Sequence, residues 1–271
     1  MTEGTKLASF RIQGAGVDGD VEHLVGALEQ LSNNVGVVRL RAWARDALAA
    51  RPGERAVDVG SGTGEELQAL ARAVGPSGDA VGVEPIVGLR AESTRRAEAA
   101  GSTARFVAGD AYALPFDEST VDVLWCERVF QHLDEPDRAA AEIARVLRPG
   151  GRVALLDSDW GTAIVHPGEP TTIQSLERFY LGRSANPFSG RRLAGQLVAA
   201  GLEVADQASQ ALIESPAAIH GLLGTMATLA VEQGAISEEQ RAQLRTDLEA
   251  AAARSDFHFS VTMFGVLARK M

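Results

Sequence analysis

Apolar residues recur at helical spacing through the first fifty positions. In "VEHLVGALEQLSNNVGVVRLRAWARDALAA" (Val21 to Ala50), Leu24, Leu28, Leu31, Leu40, Trp43 and Leu48 include gaps of three to five. "RPGE" (Arg51 to Glu54) ends that pattern. Short apolar runs then alternate with longer amphipathic segments. The runs Arg55–Val59, Ala80–Val83, Thr103–Ala108, Val121–Glu127 and Arg152–Leu156 read as strands, and Glu65–Val74, Gly88–Ala100 and Asp137–Leu147 as helices between them. Strands separated by helices of this length predict an α/β, doubly wound parallel sheet with helices on both faces and right-handed crossovers.

The second half has a different texture. Thr171–Leu181 and Gly190–Ala200 read as helices, Leu202 to about Ala205 as a strand, and Phe257–Ala268 as a closing strand. Pro216–Val231 is apolar and helical, and Ser237–Ala251 opens on "SEEQ", a Ser-x-x-Gln capping box. The stretch between the last two strands is too long for a plain connection, so a helical cap is expected there. The predicted organisation is a helical segment over 1–50, a core over 51–207, a cap over 208–256 and a final core strand over 257–271.

Composition narrows the class without changing this picture. The 271 residues are 45% hydrophobic and 23% charged, ordinary for one large domain or a domain with a cap. No run approaches a membrane span, and the opening "MTEGTKLASF" lacks the regions of a signal peptide, so no export is expected. The lone Cys126 cannot form an internal disulfide, which suits a reducing, cytoplasmic location. A formal charge of −10 argues against a general nucleic-acid binder, which needs a basic face. Partners are expected to be a small molecule, with the chain a monomer or homodimer.

The densest chemical signal is "RAVDVGSGTGEEL" (Arg55 to Leu67). Gly60, Gly62 and Gly64 lie where a strand gives way to a helix, with Ser61 between the first two. Glycines there let backbone approach a ligand, beside the free N–H groups of the helix start. A dinucleotide loop would place a third glycine where Glu65 stands, and a phosphate loop would end in Gly-Lys-Ser/Thr. Glu65 and Glu66 at the helix start oppose a phosphate further.

Read with its flanks, the loop resembles that of the class I S-adenosylmethionine-dependent methyltransferases, in which an acid (here Asp58) precedes Gly-x-Gly-x-Gly by two residues. The resemblance is strong over Arg55 to Leu156, where "RVLRPGG" and "A-x-x-L-P-F" (Ala111 to Phe116) suit the small-molecule, menaquinone/ubiquinone-type and natural-product branch. It implies a Rossmann-like seven-stranded sheet of order 3-2-1-4-5-7-6 and S-adenosylmethionine as cofactor, leaving S-adenosylhomocysteine. It implies that the loop passes under methionine and ribose. Glu84, with Pro85 beside the adenine edge, would accept the ribose hydroxyls. Gly109, Asp110 and Ala111 would meet the adenine. Arg39 or Arg41, ahead of the first strand, could reach the cofactor carboxylate, with a solvated helix face as the alternative. Glu127 would close the site at the end of the fourth strand.

Several of these positions have plain readings as well. Glu84 could be a solvated strand-end acid, and Asp110 a turn residue. Candidate acid–base groups are His132, Asp157 and Asp159, at the carboxyl ends of strands four and five, where open α/β sheets bind ligands. Asp157 and Asp159 are two apart and share one face if the strand continues that far. With Glu127 they could hold Mg²⁺, although solvated acids are the commoner outcome and no metal is assigned. Competing functions are a protein of this fold without methyl transfer, such as a cyclase or regulator, and an NAD-dependent oxidoreductase. The latter is disfavoured by the loop spacing and because neither Tyr112 nor Tyr180 is followed by lysine four residues on.

Overall fold

The computed structural model describes residues 21–271. Two helices, α1 (Val21–Ser32) and α2 (Val35–Leu48), lead into β1 (Arg55–Val59). The core continues as α3 (Glu65–Val74), β2 (Asp79–Val83), α4 (Val87–Ala99), β3 (Arg105–Val107), β4 (Val121–Glu127), α5 (Pro136–Val146) and β5 (Leu147–His166). It then runs α6 (Pro170–Leu181), α7 (Ser189–Ala199), β6 (Leu202–Glu214), α8 (Pro216–Glu232), α9 (Glu238–Ala253) and β7 (His258–Lys270). The strands form a seven-stranded sheet in the order β3-β2-β1-β4-β5-β7-β6, the expected order. Pairing is parallel as far as β5, and β7 runs antiparallel to both β5 and β6.

Alternation along each central strand feeds two cores. Val57, Val59, Leu124, Cys126, Val153 and Leu155 pack on the side of α5 and α7. Their neighbours Ala56, Val123, Trp125, Ala154 and Leu156 pack on the side of α2 and α3. Successive side chains of a strand point to opposite faces, so strands buried on both sides read as continuous apolar runs. That is why β1, β2 and β4 were legible within a residue.

Two strands are longer than their apolar signal. β5 was expected to stop at Leu156 and runs on to His166, with a register shift between Asp159 and Ile164. β6 was expected to stop near Ala205 and runs to Glu214, paired to β7 up to Phe259. The extension of β6 lies at the sheet edge and, apart from buried Leu212, mixes exposed with half-buried positions, so backbone pairing rather than an apolar run sustains it. The boundary expected after residue 207 therefore falls inside a strand.

The extended β5–β7–β6 blade carries the cap. Leu176 of α6 packs with Ala227 and Ala230 of α8, Ile236, and Leu244 of α9. The cap thus draws α6 out of the segment assigned to the core. Its last helix starts as expected: Ser237 accepts from Gln240 N, and the Gln240 side chain accepts from Ser237 N.

Helix α2 is clamped at both ends. Asn34 caps its start by accepting from Gly36 N, and its amide donates to Ile213 O and Glu214 Oε1 on β6. At the other end, buried Arg152 on β5 donates to Leu48 O at 2.7 Å and Ala49 O at 3.0 Å. A cation there satisfies carbonyls that the helix leaves unpaired. Arg152 also pairs with Glu54 at 2.7 Å, and each side chain is only about a tenth exposed. Arg152→Met should cost about 3–5 kcal/mol of stability, because it strands a buried carboxylate and two carbonyls. Urea denaturation measures this, and a loss under about 1 kcal/mol would contradict the clamp.

Candidate functional site

The loop between β1 and α3 needs its glycines. Gly60, Gly62 and Gly64 have φ of +71°, +51° and +81°, a region that side chains disfavour. A Cβ on Gly60 would lie 2.4 Å from Val129 Cγ2, and one on Gly64 would lie 2.6 Å from Phe106 Cζ. Gly60 N donates to Val83 O, and Gly64 N donates to Ser61 O, each at 2.8 Å. The first bond holds the loop against the end of β2, and the second closes the loop on itself. From above, Leu28 of α1 comes within 3.5 Å of a Cβ on Gly62.

Glu84 follows β2 and is buried. It accepts from Gly62 N and Ile86 N, both at 2.9 Å. Burial pushes its carboxyl above the usual range, opposed by those two bonds. A carboxylate has about four acceptor positions, so two remain for a pair of hydroxyls. The plain reading of a solvated acid does not hold, because Glu84 is bonded to the loop itself. Half-buried Pro85 follows it, and its carbonyl accepts from Arg90.

Asp110 is exposed, and its Oδ1 accepts from Tyr112 N and Ala113 N. It is thus a turn residue, as one reading had it, and those bonds use only one of its two oxygens. Ala111 is buried beside it, and Gly109 packs so near β2 that a Cβ would meet Val83 Cγ1 at 2.8 Å. Asp58 is buried beneath the loop. Burial, then the nearby Glu66 and Glu127 charges, push its carboxyl well above the ordinary value.

The arginine facing the loop is Arg41, not Arg39. Arg39 lies on the exposed side of α2, whereas Arg41 shares the buried stripe of Val37 and Ala44. Val35 and Ala42 flank Arg39 at the same spacing, so those positions do not separate the two. Two turns on, Arg41 aligns with buried Leu48 and Arg39 with Asp46, and that is the difference the sequence carries. Arg41 grips Glu127 in a fork, Nε to Oε2 at 2.7 Å and Nη2 to Oε1 at 3.0 Å, and also meets Glu65 at 2.9 Å. Arg45 holds Glu66 with the same nitrogen to both oxygens. Burial pushes the Glu127 carboxyl up, but Arg128 and Arg41 outweigh it and hold it below its usual range. Glu127 therefore joins α2 to β4 rather than facing a ligand alone. Arg128, which the sequence reading passed over, pairs with it at 3.1 Å.

The acid–base candidates divide. His132 ends the 3-10 turn Phe130–His132 after β4; burial, then the charge of Arg128, lowers its pKa to about 4. Asp157 and Asp159 do share a face of β5, and both are spent on α7 and nearby backbone. Asp157 accepts from Gln131 N, Ser158 N and Ser189 Oγ, and burial raises it to about 7. Asp159 is fully buried, forms a two-point ion pair with Arg191, and accepts from Gly161 N. These bonds pin the β5 extension to α7 and the turn after β4. Among the described residues no group of three His, Cys, Asp or Glu side chains is arranged to hold a metal.

The donor set suits a cationic adenosyl cofactor better than a phosphate. Glu65 and Glu66 stand at the helix start where a phosphate would bind. Glu84 keeps acceptor capacity where ribose hydroxyls would lie, and Asp110 keeps an oxygen for an amino group. Gly60–Gly64, Glu84, Pro85 and Gly109–Ala111 would hold such a cofactor.

Residues 57–155 match a family model described as a methyltransferase domain. An uncharacterised 37.1 kDa protein from a Streptomyces fradiae transposon is 33% identical over 195 residues, 72% of this chain and 56% of that one. A demethylmenaquinone methyltransferase from Roseiflexus castenholzii is 41% identical over 120 residues, 43% of this chain and 49% of that one. The chain spans about half the length of the curated relatives it matches. Among solved structures, a putative sarcosine dimethylglycine methyltransferase from Galdieria sulphuraria is 18% identical, with TM-score 0.56 and 86% of each chain covered. The cyclase SpnF is 21% identical, with TM-score 0.57 and 93% of each chain covered. Those two likenesses show the fold alone. Glycine loop, strand order and matched domain coincide on the same residues, and residues 57–155 form a class I S-adenosylmethionine-dependent methyltransferase domain.

Proposed function

We propose that this protein moves the methyl group of S-adenosylmethionine to a small, largely apolar acceptor admitted beneath the cap. The observation that carries the reading is Glu84, buried against the glycine loop with acceptor capacity left for two hydroxyls. The cofactor supplies a methyl group already activated by its sulfonium. The chain's task is then to place the acceptor and keep water out.

The cap supplies an apolar wall. Trp160 and Tyr180 pack with ring centroids 4.8 Å apart, and with Leu222, Met226 and Phe259 they border a cavity of about 60 Å³. Trp160 Nε1 donates to Gln131 Oε1, which ties this wall to the turn carrying His132. Ligand pockets commonly combine an apolar lining with a few placed polar groups. The relatives named for demethylmenaquinone support a ring-bearing acceptor for this chain as well. The acidic charge and the lone, buried Cys126 support a cytoplasmic enzyme that does not bind nucleic acid. No described helix is long and apolar enough to cross a membrane.

In this reading His132 is the group that takes a proton from the acceptor. Burial and Arg128 keep its ring neutral through the whole neutral range. It is therefore in the accepting form at pH 7, although a weak base until a bound acceptor offsets the arginine charge.

Calorimetry tests the cofactor assignment. S-adenosylhomocysteine should bind and NAD should not, and Glu84→Ala should weaken the former by roughly 150-fold or more through two lost charge-assisted hydrogen bonds. Binding of NAD alone, or unchanged affinity in the variant, would refute the assignment. NMR titration of the unliganded protein should give a His132 midpoint near pH 4, with the ring protonated only below it. A midpoint between 6 and 7 would show a solvated imidazole instead.

A further inference from the structure

Arg128 has two features that the cofactor assignment does not use. It is the residue directly after β4, and its φ is +54°, a left-handed backbone that a side-chain-bearing residue rarely adopts. Its N–H donates to Leu156 O at 2.8 Å, and its carbonyl accepts from the Gln131 side chain at 3.4 Å, so the strained turn is held on two sides. Such strain persists where the surrounding structure imposes it, and it concentrates at ligand sites.

The guanidinium is only partly satisfied. Nη2 reaches Glu127 Oε1 at 3.1 Å. Nη1 is buried and has no hydrogen-bond partner. Its pairing capacity is not met by Glu127, whose two oxygens are already gripped by Arg41. Buried charged donors without partners are rare in proteins and call for a ligand or ordered solvent. The position of Arg128 indicates which ligand. The next residue, Val129, lies against Gly60 of the glycine loop, and Gln131, whose amide bonds the Arg128 carbonyl, accepts from Trp160 of the apolar wall at 2.8 Å. Arg128 therefore stands between the glycine loop and the cap, beside the imidazole proposed to accept the proton.

We propose that the methyl acceptor carries an anionic oxygen, a carboxylate or an ionised hydroxyl, and that Arg128 Nη1 binds it. This rests on the methyltransferase reading above and names the substrate class for that site. An arginine there makes a charge-assisted hydrogen bond that fixes the acceptor's orientation. The same bond offsets the arginine's effect on His132 and so strengthens that ring as a base. Arg128 is thus a specificity-determining residue. A neutral acceptor of the same shape would leave Nη1 without a charged partner.

The probes are 2-naphthoate and the neutral 2-naphthamide, titrated by calorimetry into protein saturated with S-adenosylhomocysteine. Wild type should prefer the acid by about tenfold or more. Arg128→Gln should bind the two within about threefold of each other, and Arg128→Lys should keep part of the preference, since it retains charge without the fork. S-adenosylhomocysteine affinity should stay within about threefold in both variants. Where Arg128→Gln does not melt cooperatively, the lysine variant carries the comparison, with a preference at least threefold smaller than wild type. No preference in wild type, or an undiminished one in the variants, would overturn the proposal. So would an S-adenosylhomocysteine affinity lowered more than tenfold with the acid preference intact, which would give Nη1 to the cofactor's own carboxylate. Failure of wild type to bind S-adenosylhomocysteine would instead refute the function proposed above.

Discussion

The buried pair of Arg41 and Glu127 is the interaction on which the rest of the site depends. It joins a helix that precedes the sheet to the tip of a central strand, and it does so with two hydrogen bonds in fork geometry. Removing two charges from water is costly, and the cost is recovered only when both are well bonded. Here Arg41 also meets Glu65 and Glu66 at the start of α3, so one guanidinium ties α2, α3 and β4 together around the glycine loop. Both partners stay charged: burial disfavours each, and the opposite charges outweigh it. The clamps at the ends of α2, through Asn34 and Arg152, hold the arginine where that balance works.

The same acids decide the kind of ligand. A helix N-terminus at the end of a strand is a ready anion site, and this chain fills it with Glu65 and Glu66. Glu84 and Asp58 add further carboxyls below the loop, both pushed upward mainly by burial. An environment so rich in acid repels pyrophosphate and favours an ammonium or sulfonium. The β5–β7–β6 blade extends past the other strands and carries α6, α8 and α9, which pack on one another through apolar side chains. Asp157 and Asp159 sit where that extension begins, and they bind Ser189 and Arg191 of α7.

What could be read from the sequence follows from how each part is stabilised. β1 and β4 are buried on both faces and announce themselves as apolar runs, and α3 begins at the residue after the last loop glycine. Glu84 and Asp110 stand at strand ends a fixed distance beyond the loop, so a resemblance could assign them. The extensions of β5 and β6 are held by backbone pairing and mix polar with apolar side chains, and no continuous apolar run marks them. Arg39 and Arg41 differ only in which side of one helix they occupy, and their near neighbours are alike (Val35 and Ala42 against Val37 and Ala44), so only Leu48 against Asp46 two turns on distinguishes them. Arg128 was not legible: its importance lies in a left-handed backbone angle and one unpaired nitrogen, and neither has a sequence signature.

The central claim is that the glycine loop, Glu84 and the Arg41–Glu127 pair form one preorganised seat for an adenosyl cofactor. A crystal structure with S-adenosylhomocysteine tests it most directly. The account predicts the ribose hydroxyls within hydrogen-bond distance of Glu84, the homocysteine over Gly60–Gly64, and the Arg41–Glu127 fork unchanged. A ligand bound away from the loop, or an Arg41 released from Glu127 on binding, would contradict it.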